Sequence, residues 1–232
     1  MPINRRLFLE MAAGGAVFTV VPSAQLLAAT PGKRYAMVFD VRRCTGCLSC
    51  TVNCSIENNT PAQRARTEVN QMTVKSDRGY AVVAFPHQCN HCKNPPCVKV
   101  CPVGATYKRK EDGIVVIDYD KCIHCQACVP ACPYGERKID PERKNPPEKC
   151  NFCIHRVEQG LLPACVESCI GKARVFGDLN DPKSEIYKLV KENKVYALLP
   201  KFGTEPSIYY IGLPEVFDDK ATLELKSTDW QR

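Results

Sequence analysis

The sequence predicts an α+β fold of two small modules, the second inserted in the first, with short helices and β-hairpins around groups of cysteines. Sixteen of the 232 residues are cysteines, and all of them fall into four groups of four. The 18 prolines and 13 glycines, many beside cysteines, favour tight turns over long helices. Aromatic residues make up only 8% of the chain, with one Trp. We therefore expect bound ligands, rather than one large apolar core, to help hold the fold together.

The first element is a targeting segment over residues 1–30. Arg5 and Arg6 precede the apolar stretch Met11–Val21, and paired arginines before an apolar region are typical of a twin-arginine export signal. Pro22 interrupts the stretch before it reaches the length of a membrane span. We predict export to the periplasmic face of the cytoplasmic membrane and no membrane span in the mature chain. Whether the signal is cleaved stays open.

The cysteines form four quartets along the chain. The spacing is C-x2-C-x2-C-x3-C in the first and third, C-x2-C-x4-C-x3-C in the second, and the fourth has eleven residues between its second and third members. In chain order, the quartets are Cys44, Cys47, Cys50 and Cys54; Cys89, Cys92, Cys97 and Cys101; Cys122, Cys125, Cys128 and Cys132; Cys150, Cys153, Cys165 and Cys169.

Four complete quartets favour [4Fe–4S] clusters. A tight loop turns thiolates that are two residues apart inward around one cube while its amides point at the sulfides. We expect the fourth cysteine to open a helix that leads away, and it is then better placed to reach a second cube. Disulfides would require adjacent, strained pairs. Zinc remains an alternative, above all for the fourth quartet, because paired C-x2-C units are common zinc ligands.

The segments between the quartets divide the chain into modules. Asp112–Gly113 is a hairpin turn signal followed by a short strand over 114–117, and it separates quartets two and three. Quartet, hairpin, quartet is the layout of a bacterial two-cluster ferredoxin module. The predicted units are the inserted module over 89–140, the two parts of the first module over 35–88 and 141–180, and a C-terminal extension over 181–232.

Three further elements complete the prediction. Tyr80–Phe85 reads as a strand, a helix runs from about Ser184 to Glu192, and Ser207–Ile211 reads as a late strand. Basic residues flank the fourth quartet, where they would tune a cluster, face an acidic partner or form solvated surface charge: Lys149, Arg156, Lys172 and Arg174. The four histidines lie near cysteines, and we interpret them as surrounding or surface groups because the cysteines already supply sixteen ligands: His87, His91, His124 and His155.

The formal net charge of +7 does not predict nucleic-acid binding. The export signal accounts for +1 of it, and four oxidised clusters with their thiolates would add roughly −2 each, which leaves a total of about −2. No aromatic-studded basic stripe accompanies the charge. The sequence also has no nucleophile–base arrangement and no nucleotide-binding loop, so we expect any catalysis to take place in another chain.

At three stretches the chain resembles the four-cluster iron–sulfur subunits of molybdopterin oxidoreductases, the dimethyl-sulfoxide-reductase group. The stretches are Tyr35–Asn58, Cys89–Gly104 and Lys149–Asp178, and the resemblance extends to Tyr210. It implies four ligand sets that exchange cysteines between quartets. Set I would be Cys44, Cys47, Cys50 and Cys169; set II, Cys150, Cys153, Cys165 and Cys54; set III, Cys89, Cys92, Cys97 and Cys132; set IV, Cys122, Cys125, Cys128 and Cys101.

The resemblance implies electron transfer without bond chemistry in this chain. Electrons would come from a quinol-oxidising integral membrane subunit and pass to a molybdopterin catalytic subunit that reduces a sulfur oxyanion. Arsenate, polysulfide and nitrite stay open as acceptors, because the acceptor would bind another chain. The alternative of a different class is a zinc-binding scaffold without a redox role.

Overall fold

The computed structural model describes residues 18–28, 32–61, 64–76, 79–139 and 147–213. The strands are β1 (Phe18–Val21), β2 (Tyr35–Asp40), β3 (Thr67–Ser76), β4 (Gly79–Gln88), β5 (Thr106–Lys108), β6 (Val115–Ile117), β7 (Arg174–Asp178), β8 (Val195–Leu198) and β9 (Ile208–Ile211). The helices are α1 (Ser23–Leu26), α2 (Ser49–Glu57), α3 (Pro96–Lys99), α4 (Cys128–Ala131), α5 (Ile154–Val157), α6 (Ala164–Glu167) and α7 (Glu185–Glu192). Two 3-10 turns span Val41–Arg43 and Pro200–Phe202.

A mixed five-stranded sheet joins segments that are far apart in the sequence. Its strand order is β1-β8-β9-β2-β7, and two separate hairpins are formed by β3 with β4 and by β5 with β6. Strand β2 runs antiparallel to β7 and parallel to β9. The sheet therefore connects the segment before the first quartet to the segments after the fourth.

The two faces of this sheet carry different apolar layers. Side chains alternate along a strand, so Ala36 and Val38 of β2 face a layer closed by Ile186 and Val190 of α7. The opposite layer contains Phe39 of β2 and several cysteines among its buried residues, namely Cys50, Cys89, Cys150 and Cys165. The cysteine-bearing loops thus pack on one face only, and the layer on the other face contains no cysteine among the described residues.

Several predicted local elements are confirmed. Strands β5 and β6 form the hairpin expected around Asp112–Gly113, where Gly113 has a φ of +73° and Asp112 accepts a hydrogen bond from the Ile114 N–H. Helix α7 begins after Ser184, whose hydroxyl accepts a hydrogen bond from the Tyr187 N–H. Strand β4 covers the predicted strand and extends further, and β9 covers most of the late strand.

The short helices beside the quartets differ from the expectation. In no quartet does the fourth cysteine open a helix; it lies inside α2 in the first quartet and just after the helix in the other three. Each of these helices instead contains the third cysteine of its quartet, in chain order Cys50, Cys97, Cys128 and Cys165. In the first quartet, Cys50 and Cys54 both lie on α2, and their spacing of about one helical turn places both side chains on the same side of that helix.

Parts of two predicted segments lie in the central sheet. Residues 18–28 belong to the predicted export signal, yet β1 pairs with β8 and Leu26 is buried. The predicted C-terminal extension supplies α7, β8 and β9, so its described part belongs to the central sheet. Arg5, Arg6 and the module boundary at 140 lie outside the described residues. Within the described ranges, no helix is long and apolar enough to cross a membrane.

Candidate iron–sulfur centres

The pairing of β2 with β7 brings the two ends of the cysteine-rich region together. Cys44 follows β2 after the first 3-10 turn, and Cys169 shortly precedes β7. Gly171 allows the two loops to approach, because a Cβ atom on it would lie 2.3 Å from the Arg43 carbonyl oxygen. The four cysteines of set I line one cavity, namely Cys44, Cys47, Cys50 and Cys169.

A second cavity is lined by the four cysteines of set III, namely Cys89, Cys92, Cys97 and Cys132. The first follows β4 directly, and the third lies on α3, which packs against α4. Cys132 comes from the next quartet and is held at the end of α4. The packing of these two one-turn helices thus places Cys97 of the second quartet and Cys132 of the third quartet around the same cavity.

Set II is fully buried and combines one cysteine of the first quartet with three of the fourth. Helix α2, which carries Cys54, packs against α6, which carries Cys165. The Asn58 Nδ2 atom lies 3.7 Å from the Cys54 Sγ atom and 3.8 Å from the Cys153 Sγ atom. Burial raises the pKa of Cys150 well above its usual value, and the charges of Cys165, Cys54 and Cys153 raise it further. The four sulfur atoms therefore share one electrostatic environment.

Set IV lies at the end of the β5–β6 hairpin. Cys101 precedes β5 and Cys122 follows β6, so the antiparallel pairing brings these two positions to the same end. Burial raises the pKa of Cys128; Arg137 opposes this rise, while Cys97 and Cys122 add to it. Cys125 is exposed, whereas the other three members are partly buried. This set is the most accessible of the four.

The four quartets share a backbone feature that the sequence analysis missed. The residue directly before the second cysteine has a positive φ in every quartet: Gly46 (69°), His91 (42°), His124 (59°) and Phe152 (56°). Only glycine takes up this left-handed conformation without strain. In three quartets a bulky residue, not glycine, has this conformation. The loop conformation therefore repeats even where no glycine in the sequence indicates it.

These loops point backbone N–H groups at cysteine sulfur atoms. The Phe152 N–H donates to Cys150 Sγ and the Ala173 N–H donates to Cys169 Sγ, each at 3.3 Å. The Thr106 N–H donates to Cys101 Sγ at 3.4 Å. Such donors stabilise negative charge on sulfur, and so they favour thiolates that bind a metal.

The chemistry of the cavities fits an iron–sulfur core. Burial raises the pKa of Cys165 to about 12, and Cys54, Cys153 and Cys50 raise it as well, against the effect of Arg174. Crowded, buried sulfur atoms resist ionisation unless a cation compensates their charge. A cationic iron–sulfur core provides that charge and takes four cysteine ligands. The donor sets present therefore match [4Fe–4S] clusters.

Three of the four histidines have partners other than a metal. The His91 Nδ1 atom accepts a hydrogen bond from the Val115 N–H at 3.1 Å, and the ring stacks on Phe152 with centroids 3.8 Å apart. Burial holds the pKa of His91 well below its usual value, so the ring is neutral. His87 pairs with Glu136. His155 pairs with Glu57, and His124 is exposed. We therefore keep the histidines outside the proposed ligand sets.

Comparison with known proteins identifies the class. A family model described as a 4Fe-4S dicluster domain matches residues 80–179. A tetrathionate reductase subunit of Salmonella typhimurium is 52% identical over 192 residues, which cover 81% of this chain and 76% of that one. Its counterpart in Archaeoglobus fulgidus is 44% identical, with 80% and 85% covered. A selenate reductase subunit of Mesobacillus selenatarsenatis is 40% identical, with 77% and 72% covered.

The cysteine sets and the matching domain define a protein that carries [4Fe–4S] clusters. The chain belongs to the family of iron–sulfur electron-transfer subunits of the dimethyl-sulfoxide-reductase type. The family resemblance in the sequence is therefore confirmed, as is the electron-transfer role that it implied.

Proposed function

We propose that the chain carries four [4Fe–4S] clusters, held by sets I to IV, and passes electrons between two partner subunits without performing bond chemistry itself. When bound, each cluster supplies a one-electron carrier whose potential depends on net charge, N–H···S bonds and solvent exposure. The observation that supports this best is the distribution of burial. Set II is fully buried, whereas Cys47 of set I and Cys125 of set IV are exposed.

The electrostatic neighbours of the cysteines support a series in the order I, II, III, IV. Cys50 in set I raises the pKa of Cys165 in set II. Cys89 in set III raises the pKa of Cys150 in set II, and Cys97 in set III raises the pKa of Cys128 in set IV. Interaction between successive sets, together with an exposed cysteine at each end, suits a carrier that receives electrons at one surface and delivers them at another.

The partners we propose are a quinol-oxidising integral membrane subunit and a molybdopterin catalytic subunit. The relatives are each one subunit of a reductase, and a reductase with subunits contains at least one further chain. Tetrathionate is the acceptor we favour for the complex, because the 52% and 44% identical relatives are tetrathionate reductase subunits. Arsenate, polysulfide, nitrite and selenate are the alternative acceptors, and the activity test distinguishes them from tetrathionate.

Anaerobic purification with intact cluster-assembly machinery tests the cofactor. We expect a brown protein with about sixteen iron atoms and as many acid-labile sulfides per chain, since each cluster contains four of each. A colourless preparation that contains zinc and no sulfide would instead support the zinc-binding scaffold and would refute electron transfer.

Cys169→Ala tests the exchange of cysteines between quartets. Because Cys169 lines the cavity of set I, we expect the variant to lose or convert the cluster of that set and to leave the other three. Iron content and EPR of the reduced protein measure this. Ser168→Ala is the matched control, since its hydroxyl donates to the Ala164 carbonyl oxygen of helix α6. Sixteen irons and an unaltered spectrum in the Cys169 variant would refute the pairing.

The acceptor is tested with the intact complex and reduced viologen as electron donor. We expect tetrathionate to oxidise the viologen and the isolated chain to be inactive, because catalysis belongs to the partner. Turnover with arsenate, nitrite, polysulfide or selenate, but not with tetrathionate, would replace the proposed acceptor.

Export is proposed from the twin-arginine motif alone. We expect Arg5→Lys together with Arg6→Lys to hold the protein in the cytoplasm with its clusters inserted, because the route reads paired arginines. Cell fractionation measures this. Normal periplasmic recovery of the double variant would refute the route.

A further inference from the structure

Three buried cations lie beside the cysteine sets without a carboxylate partner. Arg174, Arg137 and Lys149 are 4%, 6% and 3% exposed. Among the described residues, no Asp or Glu oxygen lies within the 4.0 Å that defines an ion pair with any of them. A buried charge is costly unless another charge compensates it. Glu136 also lines the cavity of set III, but its carboxylate pairs with His87, so the nearby cysteine sulfur atoms are left to compensate these cations.

Arg174 lies between sets I and II. It lines the cavity of set I and begins β7, against which α6 packs with Cys165 of set II. The guanidinium donates to the Thr67 hydroxyl at 3.0 Å and to the Gln88 Oε1 atom at 3.1 Å, and it lies 4.6 Å from the centroid of the Phe39 ring. Its Nη2 atom has no hydrogen-bond partner among the described residues. Fixed neutral partners thus hold the charge in place.

Lys149 lies between sets II and III. Its ammonium donates to the carbonyl oxygens of Val115 and of Cys150, the latter at 2.7 Å. Cys150 belongs to set II, whereas the cavity that Lys149 lines is that of set III. Burial lowers the pKa of Lys149, and the charges of Cys89 and Cys150 oppose that effect. The side chain therefore bonds the backbone of a set II cysteine and lines the cavity of set III.

Arg137 lies between sets III and IV. It lines the cavity of set III and donates to the Thr106 hydroxyl at 3.4 Å. The Thr106 N–H in turn donates to the Sγ atom of Cys101 in set IV. Burial would lower the pKa of Arg137, but Cys97 and Cys128 raise it, one from each set. Within the described part of the chain, its Nη1 atom has no hydrogen-bond partner.

We propose that Arg174, Lys149 and Arg137 are fixed counter-charges at the three junctions between neighbouring clusters, where each raises the reduction potential of the clusters on both sides. The inference rests on the proposed function. A cluster gains one negative charge on reduction, so a nearby buried cation stabilises the reduced form more than the oxidised form. The weak screening of buried charges makes this effect resistant to salt.

The test is anaerobic potentiometric titration followed by EPR, with the full chain in its complex. We expect Arg174→Gln to lower the midpoint potentials of the clusters in sets I and II, Lys149→Gln those in sets II and III, and Arg137→Gln those in sets III and IV. The clusters of sets II and III should each respond to two substitutions, and those of the end sets to one. Lys188→Gln removes an exposed positive charge from α7 and is the control.

Iron content decides how each variant is interpreted. Unchanged potentials in variants that retain sixteen irons would overturn the proposal, as would equal shifts in all four clusters. If a Gln variant loses iron, the charge-preserving variants Arg174→Lys, Arg137→Lys and Lys149→Arg should restore it. Loss in these variants as well would indicate a purely structural role and would overturn the proposal. A wild-type protein without iron or sulfide would instead refute the proposed function itself.

Discussion

Asn58 illustrates how one side chain acts on buried sulfur at the scale of a single residue. Its amide lies near the Sγ atoms of Cys54 and Cys153 and donates to the Cys54 carbonyl at 2.9 Å. Its Oδ1 atom accepts a hydrogen bond from Arg66, which pairs with Glu148 at 2.8 Å. This chain of contacts fixes the amide so that its N–H group faces two ligands of set II.

Asn58→Ala should lower the potential of the set II cluster. The N–H donor stabilises the more negative reduced form, so its removal favours oxidation. EPR-monitored titration measures the shift. Asn53→Ala is the control from the adjoining helix α2, because its amide donates to the Ser49 carbonyl oxygen. Equal potentials in wild type and in Asn58→Ala, with full iron content, would contradict the prediction.

At the scale of the element, the four cysteine loops share one backbone conformation. The shared feature is a residue with a positive φ directly before the second cysteine of each quartet. His124 holds this conformation while exposed, so its side chain contributes little packing. The backbone there is strained by roughly 1–2 kcal/mol relative to glycine. The adjacent Ile123 is also exposed but has no positive φ.

His124→Gly should therefore be tolerated better than Ile123→Gly. Both substitutions increase the freedom of the unfolded chain, but only the first relieves strain. We expect His124→Gly to be more stable than Ile123→Gly by about 1 kcal/mol and to retain all its iron. Anaerobic thermal unfolding followed by cluster absorbance measures the difference. Iron loss in the His124 variant alone would show that this histidine is a ligand, contrary to our interpretation.

The whole molecule consists of two unequal layers on one sheet. The layer that includes Ile186 and Val190 of α7 contains no cysteine among its described residues, whereas the opposite layer includes Cys50, Cys150 and other ligands. The first layer can form from apolar burial alone. The second contains crowded thiols and buried cations, so its folding depends on bound metal.

Removal of the clusters should unfold one layer more than the other. In protein stripped of iron, we expect amide exchange protection to persist in α7, β8 and β9 and to be lost in the cysteine loops. Hydrogen exchange with mass spectrometry compares the two forms region by region. Uniform loss of protection, or unchanged protection throughout, would contradict the idea that metal stabilises one layer selectively.

The sequence alone determined the features that depend on neighbouring residues. The four quartets, the hairpin at Asp112–Gly113 and the helix that begins after Ser184 all follow from local spacing and turn chemistry. The family also follows from such local segments, because the stretches around the quartets are specific. These features need no knowledge of which distant segments meet.

Only the tertiary structure decided which distant residues meet. Strand β2 pairs with both β7 and β9, and this pairing brings Cys169 to Cys44. The same packing buries Arg174, which the sequence could not separate from a solvated surface charge. Sheet pairing and burial depend on the free energy of the whole assembled chain, and a short window of sequence does not contain that information.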